Sequence, residues 1–235
     1  MEKIKLFCLP FAGGNKYSYR SFLASCPPWI EPITLEYPGR GERIREPFLT
    51  DINKLAADIL DQIEKTTSSM VYAFYGHSMG ALIAASVLQK ISQERLALPN
   101  HVFVSGCAGP TSQKRNKKRY LLEKKEFVQE IINLHGSPAE ILHNEDLLDF
   151  YEPILRADFT ACETYEHRLI APLNISFTVI TGTEEDLELK EIGLWELETI
   201  QPVRFVQMDG DHFFILKKQS QIWQVISKEL SKKYK

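Results

Sequence analysis

An apolar run, Val71-Tyr72-Ala73-Phe74-Tyr75, passes through Gly76-His77-Ser78-Met79-Gly80 and continues as Ala81 to Leu88. Its first part has strand length and is rich in aromatic residues, while its last part is built of good helix formers. A strand that enters a helix through Gly-x-Ser-x-Gly holds the serine at the apex of a strained turn, with its hydroxyl clear of the sheet. Strand and helix then cross so closely that the positions two before and two after the serine have little room for a side chain. Both are glycine, Gly76 and Gly80. A helix starting at Met79 aims its first N–H groups and its positive dipole end at any oxyanion formed beside Ser78. A passive serine in a glycine-rich turn is the alternative, and the flanking residues argue against it.

Strand and helix patterns alternate along most of the chain, which indicates a mostly parallel central sheet with helices on both faces. Strands are expected at residues 4–9, 33–37, 101–106, 175–181 and 203–208, besides the one that leads into Ser78. Helices are expected at 17–25, 51–65, 79–95, 191–200 and 217–230. The second of these shows a one-sided stripe of Ile52, Leu55, Ile59 and Ile63, with Asp51 placed to cap it. From about 108 to 170 no strand pattern occurs. Helices at 123–134, 146–151 and 153–167 are expected to form a lid insertion over the carboxyl edge of the sheet, where active sites of such sheets lie. The whole chain, 1–235, reads as a single domain, a size its 44% hydrophobic and 25% charged composition can support.

A net charge of −3 argues against a general nucleic-acid binder. Cys8, Cys26, Cys107 and Cys162 contain no Cys-x-x-Cys pair and read as reduced residues of a cytoplasmic protein. The first strand begins too early for a signal peptide, and no apolar run reaches membrane-spanning length. Neither Gly13-Gly14 nor Gly39-x-Gly41 extends to a nucleotide-binding motif, and the histidines lack metal-ligand spacing. No cofactor and no metal are expected.

A serine needs a base to take its proton and a third group to orient that base. His212 follows the last strand and precedes the terminal helix, the place a base should hold. His77 lies inside the turn, His101 starts a strand, and His135, His143 and His167 fall in the lid, where surface roles are expected. The acid belongs in the loop after the preceding strand, where Glu184, Glu185 and Asp186 stand side by side; chemistry alone does not separate them. The small-residue loop Pro10-Phe11-Ala12-Gly13-Gly14 allows close backbone approach, and the N–H groups of Ala12 and Met79 are the candidate oxyanion donors. Arg40 and Arg43 could bind an anion or pair with Glu42 and Glu46 at the surface, and the second reading is preferred on chemistry. The run Lys114-Arg115-Asn116-Lys117-Lys118-Arg119 reads as a solvated loop or as a docking patch for an acidic partner.

Taken together, Leu9 to Gly14, Tyr37 to Arg43, Tyr75 to Gly80, Arg156-Ala157-Asp158-Phe159 with Glu163 and Tyr165, and Asp209 to Phe214 resemble the type II thioesterases. These are free-standing α/β-hydrolases that accompany nonribosomal peptide, polyketide and fatty acid synthases. The resemblance implies an α/β-hydrolase fold, Ser78 as nucleophile, His212 as base, and Ala12 and Met79 as oxyanion hole. It also makes the arginine loop matter for the fold or the site entrance. The family's aspartate position falls here on Glu185, with Asp186 one residue further as the reserve; the spacing from Gly182 to Trp195 is kept. The implied substrate is an acyl or aminoacyl group on the phosphopantetheine arm of a carrier protein, which would be the partner of a monomeric enzyme. A small-molecule esterase or lipase on the same fold, and a lapsed hydrolase kept as a binding partner, are the other readings.

Overall fold

The computed structural model describes residues 3–66, 71–134 and 144–232. Its strands are β1 (Ile4–Leu9), β2 (Ile30–Thr34), β3 (Tyr72–His77), β4 (His101–Ser105), β5 (Ser176–Gly182) and β6 (Arg204–Met208). Every pairing is parallel and the order is β2-β1-β3-β4-β5-β6. The helices are α1 (Arg20–Leu23), α2 (Ile52–Thr66), α3 (Met79–Gln93), α4 (Lys124–Asn133), α5 (Glu145–Glu163), α6 (Leu189–Gly193) and α7 (Gln219–Ser231).

The two-residue period of the central strands sorts their side chains into two cores. Phe7 and Leu9 of β1, with Tyr72 and Phe74 of β3, pack with α2 and α3. Leu6 and Cys8, with Ala73 and Tyr75, face α1 and α7 on the other side. Nearly all of α3 is buried, which explains why its sequence is apolar around most of its circumference. Asp51 caps α2 as expected, its Oδ1 accepting from the N–H groups of Asn53 at 2.7 Å and Lys54 at 3.1 Å.

Four elements depart from the sequence reading. β2 starts at Ile30, includes Pro32 and ends at Thr34 rather than spanning 33–37. It is an edge strand, and Leu35 N–H still reaches Cys8 O at 3.0 Å, so alternation turns the position of the missing Pro32 N–H away from β1. The first helix shrinks to the four residues of α1. The expected helix at 191–200 is α6 followed by a 3-10 turn at Leu194–Glu198. Residues 146–151 and 153–167 do not form two helices: α5 runs through Pro153 and ends at Glu163. Asn144 caps it by accepting from Leu147 N–H at 3.1 Å, and an ion pair from Lys124 to Asp149 holds the half before the proline. Beyond the proline, Leu155 and Phe159 close a small core with Phe127 and Ile131 of α4, which fixes the remaining turns. His135 and His143 lie outside the described residues.

Candidate active site

β3 delivers Ser78 into the tight turn ahead of α3 with φ 53° and ψ −114°, a conformation that few non-glycine residues adopt. Ser78 N–H donates to Ser105 O at 2.8 Å, and Ser78 O accepts from Ala81 N–H at 3.0 Å, so both sides of the strained residue are tied. A Cβ on Gly76 would overlap the Gly80 carbonyl, and one on Gly80 the Leu9 carbonyl, the close crossing that the two glycines imply.

The loops after β5 and β6 bond to each other, Thr183 N–H to Met208 O at 2.9 Å and Glu184 N–H to Gly210 O at 3.0 Å. That contact brings Glu185 to His212: Nδ1 lies 2.6 Å from Oε1. The other carboxylate oxygen accepts Gly182 N–H at 2.7 Å, and the Glu185 side chain is only 2% exposed. Asp186 is 99% exposed and points to Lys117, 4.0 Å away, and Glu184 is exposed as well. Of the three neighbouring acids, Glu185 alone has its carboxylate on His212. With Nδ1–H donated to that carboxylate, the imidazole keeps Nε2 as its proton acceptor.

Ser78, Met79, Ala12, Glu185 and His212 all line one cavity of about 640 Å³. Leu155, Phe159 and Cys162 of α5 form part of its wall. Cys107 lines it too; burial pushes its thiol up to about 11 and raises that of Cys162 as well. Both cysteines are therefore protonated at neutral pH and stand in the wall as small apolar groups.

Several side chains have roles that the sequence did not disclose. His77 is fully buried beneath His212, ring centroids 4.9 Å apart, with Nδ1 2.9 Å from the Ser105 hydroxyl. Burial, followed by the nearness of His212, holds its imidazole well below the ordinary histidine value, so it is neutral. His167 is no surface residue: its side chain is buried, with Nε2 2.8 Å from Glu198 and Nδ1 2.8 Å from the Tyr165 hydroxyl. Arg40 is buried against Asp158 rather than paired at the surface, and Glu42 pairs with Lys16. Arg43 does bond Glu46 but also Asp58, at 2.5 Å. Within the basic run, Arg119 turns inward to Glu163 at 2.5 Å and lies over the Phe159 ring, and Arg115 bonds the carbonyls of Gly109 and Pro110. Lys114, Lys117 and Lys118 stay exposed, the first two near Glu188 and Asp186. The available signal for Asp158 was a charge on the apolar stripe of a helix, a position that demands a buried partner.

Among the described residues no group of three or more His, Cys, Asp or Glu side chains could hold a metal ion. No helix among them is long and apolar enough to cross a membrane.

A family model described as the thioesterase domain matches residues 4–230. The chain belongs to the thioesterase family. It is 29% identical to the gramicidin S biosynthesis protein GrsT of Aneurinibacillus migulanus, over 97% of this chain and 89% of that one. It is 31% identical to thioesterase PikA5 of Streptomyces venezuelae, over 97% and 81% of the two chains. The crystal structure of ClbQ from the colibactin NRPS/PKS pathway superposes with a TM-score of 0.93 at 28% identity, over 98% of both chains. This thioesterase is thus an α/β-hydrolase-fold thioester hydrolase, similar across its described length to thioesterases of nonribosomal peptide and polyketide pathways.

Proposed function

We propose that this thioesterase releases acyl and aminoacyl groups from the phosphopantetheine arm of a carrier protein, clearing stalled or wrongly primed synthase carriers. The observation that carries the chemistry is the Glu185–His212 contact in the wall of the cavity that Ser78 also lines. His212 Nε2 takes the Ser78 proton as Oγ attacks the thioester carbonyl, and the negative oxygen accepts hydrogen bonds from the N–H groups of Ala12 and Met79. The carbon–sulfur bond breaks, and His212 returns the proton to the departing pantetheine thiolate. A water molecule, deprotonated by His212, then attacks the acyl-Ser78 ester; collapse frees the acid and restores the serine hydroxyl. Glu185 holds the imidazole through Nδ1 and stabilises the imidazolium formed in each half-reaction.

The carrier as partner rests on the relatives, named for gramicidin S biosynthesis and for an NRPS/PKS pathway, and on Lys114 and Lys117, exposed lysines that line the cavity, with Lys118 exposed beside them. The helical segment between β4 and β5 acts as the lid that admits the arm. The four free cysteines fit a reducing compartment such as the cytoplasm, where the enzyme works as a monomer.

The deciding experiment compares hydrolysis of an acetyl-loaded carrier with that of the same acetyl group on a minimal thiol, with Ser78→Ala alongside. A strong preference for the carrier that vanishes in the variant is expected. Equal kcat/KM on both substrates would remove the carrier from the reaction, and full activity in Ser78→Ala would remove the nucleophile.

A further inference from the structure

The loop that carries Ala12 is held from several distant parts of the chain. Tyr19 Oη donates to Leu9 O at 3.0 Å, and Tyr37 Oη to Pro10 O at 2.9 Å. Gly14 N–H donates to Phe11 O at 2.8 Å, which fixes the peptide whose N–H belongs to Ala12. The next peptide is fixed from its other end, because Gly13 N–H donates to Asp158 Oδ2 at 2.7 Å. With the peptides on both sides of the Ala12 Cα bonded, the Ala12 N–H has one direction.

Asp158 reaches this loop from the middle of α5, and Arg40 balances its charge. Arg40 Nη1 lies 2.6 Å from Oδ2 and Nη2 lies 2.7 Å from Oδ1, a two-pronged pair, and Nη1 also approaches Gly14 O at 3.3 Å. The two side chains are 2% and 0% exposed. Taking such a pair out of water costs enough that an apolar pair of the same volume would serve stability as well or better. An apolar pair could not accept the Gly13 N–H. Gly13 sits at φ 75°, and Leu155, also on α5, occupies the space its Cβ would need. The helix therefore imposes on the loop a backbone conformation that both contacts are shaped to hold.

We infer that Asp158, neutralised by Arg40, is a positioning residue that sets the Ala12 N–H as an oxyanion donor. The same helix that walls the acyl cavity with Leu155, Phe159 and Cys162 then also fixes the geometry of the oxyanion hole. The inference rests on the reading of Ala12 as a donor made above.

Two double variants separate positioning from stability. Arg40→Met with Asp158→Leu removes both charges together with the acceptor for Gly13. Arg40→Met with Asp158→Asn is equally uncharged but returns a carbonyl oxygen that can accept the Gly13 N–H. Hydrolysis of a minimal acyl thioester is measured for both, with the thermal unfolding midpoint of each. The first is expected to lose about 10–100-fold in kcat with KM within about twofold of the parent, since the lost contact acts only on the transition state. The second is expected to recover most of that loss. A trifluoromethyl ketone analogue, which forms an oxyanion adduct with serine, should bind the parent far more tightly than the matching methyl ketone, and the first variant should lose that advantage. Equal kcat in the two double variants, or a loss that tracks the unfolding midpoint, overturns the positioning role while leaving the oxyanion hole standing. A parent enzyme that does not distinguish the two ketones overturns the oxyanion reading and this inference with it.

Discussion

At the scale of single residues, Glu185 and Asp186 show how much one backbone step decides. Both are ionisable, adjacent and in the right loop, yet one carboxylate is buried on His212 and the other is in water. Glu185→Gln keeps the shape but cannot stabilise an imidazolium, so kcat is expected to fall by about 10³–10⁴. Asp186→Ala should stay within about twofold of the parent in the same assay; a large loss there would transfer the acid's role to Asp186. His77 makes a second residue-scale prediction. The unfolded chain takes up a proton on this histidine near its ordinary value of about 6.5, while the buried imidazole refuses it. Its contribution to stability is therefore complete above that pH and declines as pH falls below it. Urea midpoints measured from about pH 8 down to about pH 5 should fall for the parent and fall less steeply for His77→Gln. Identical slopes would assign the acid sensitivity to other groups.

At the scale of elements, the helical segment between β4 and β5 shows how far pattern and structure can part. A proline inside an apolar period reads as a helix boundary, but α5 continues through Pro153 because contacts on both sides hold it. That position costs stability. Pro153→Ala should stabilise the protein by roughly 1–3 kcal/mol, read from the urea midpoint, since proline is about 3 kcal/mol less favourable than alanine in a helix interior. A destabilised variant would mean that the proline's own contacts outweigh the lost hydrogen bond. The basic run divides in a way its sequence conceals. Arg115 and Arg119 hold backbone carbonyls and the buried Glu163, so replacing them would report on folding. Changing only Lys114, Lys117 and Lys118 to alanine is the clean test of docking. It should raise KM for an acyl-carrier several-fold, an effect that salt diminishes, and leave KM for a small thioester unchanged. An unaltered KM for the carrier would exclude this surface from docking.

At the scale of the whole molecule, the site exists because β1, β3 and α3 meet at one point of the sheet. The Gly80 position lies against the Leu9 carbonyl, and neither backbone can retreat without moving a strand. Gly80→Ala is expected to cost about 1–3 kcal/mol from overpacking and to abolish hydrolysis, measured by thermal unfolding alongside kcat. Retained activity would show that the crossing is looser than the geometry implies.

What the sequence determined by itself was whatever local physics governs. The apolar run into Gly-x-Ser-x-Gly required a strand, a strained turn and a helix, and alternating patterns required a parallel sheet covered on both faces. Chain order then placed Ser78, the acid loop and His212 at the same edge. What only the tertiary structure decided was the pairing of charges distant in sequence: Glu185 with His212, Arg40 with Asp158, and Arg119 with Glu163. The physical reason is that periodicity encodes which side of an element is buried and says nothing about which buried charge meets which. A charge on an apolar stripe announces that a partner must exist, because leaving it unpaired would be too costly, but the partner is chosen by the fold.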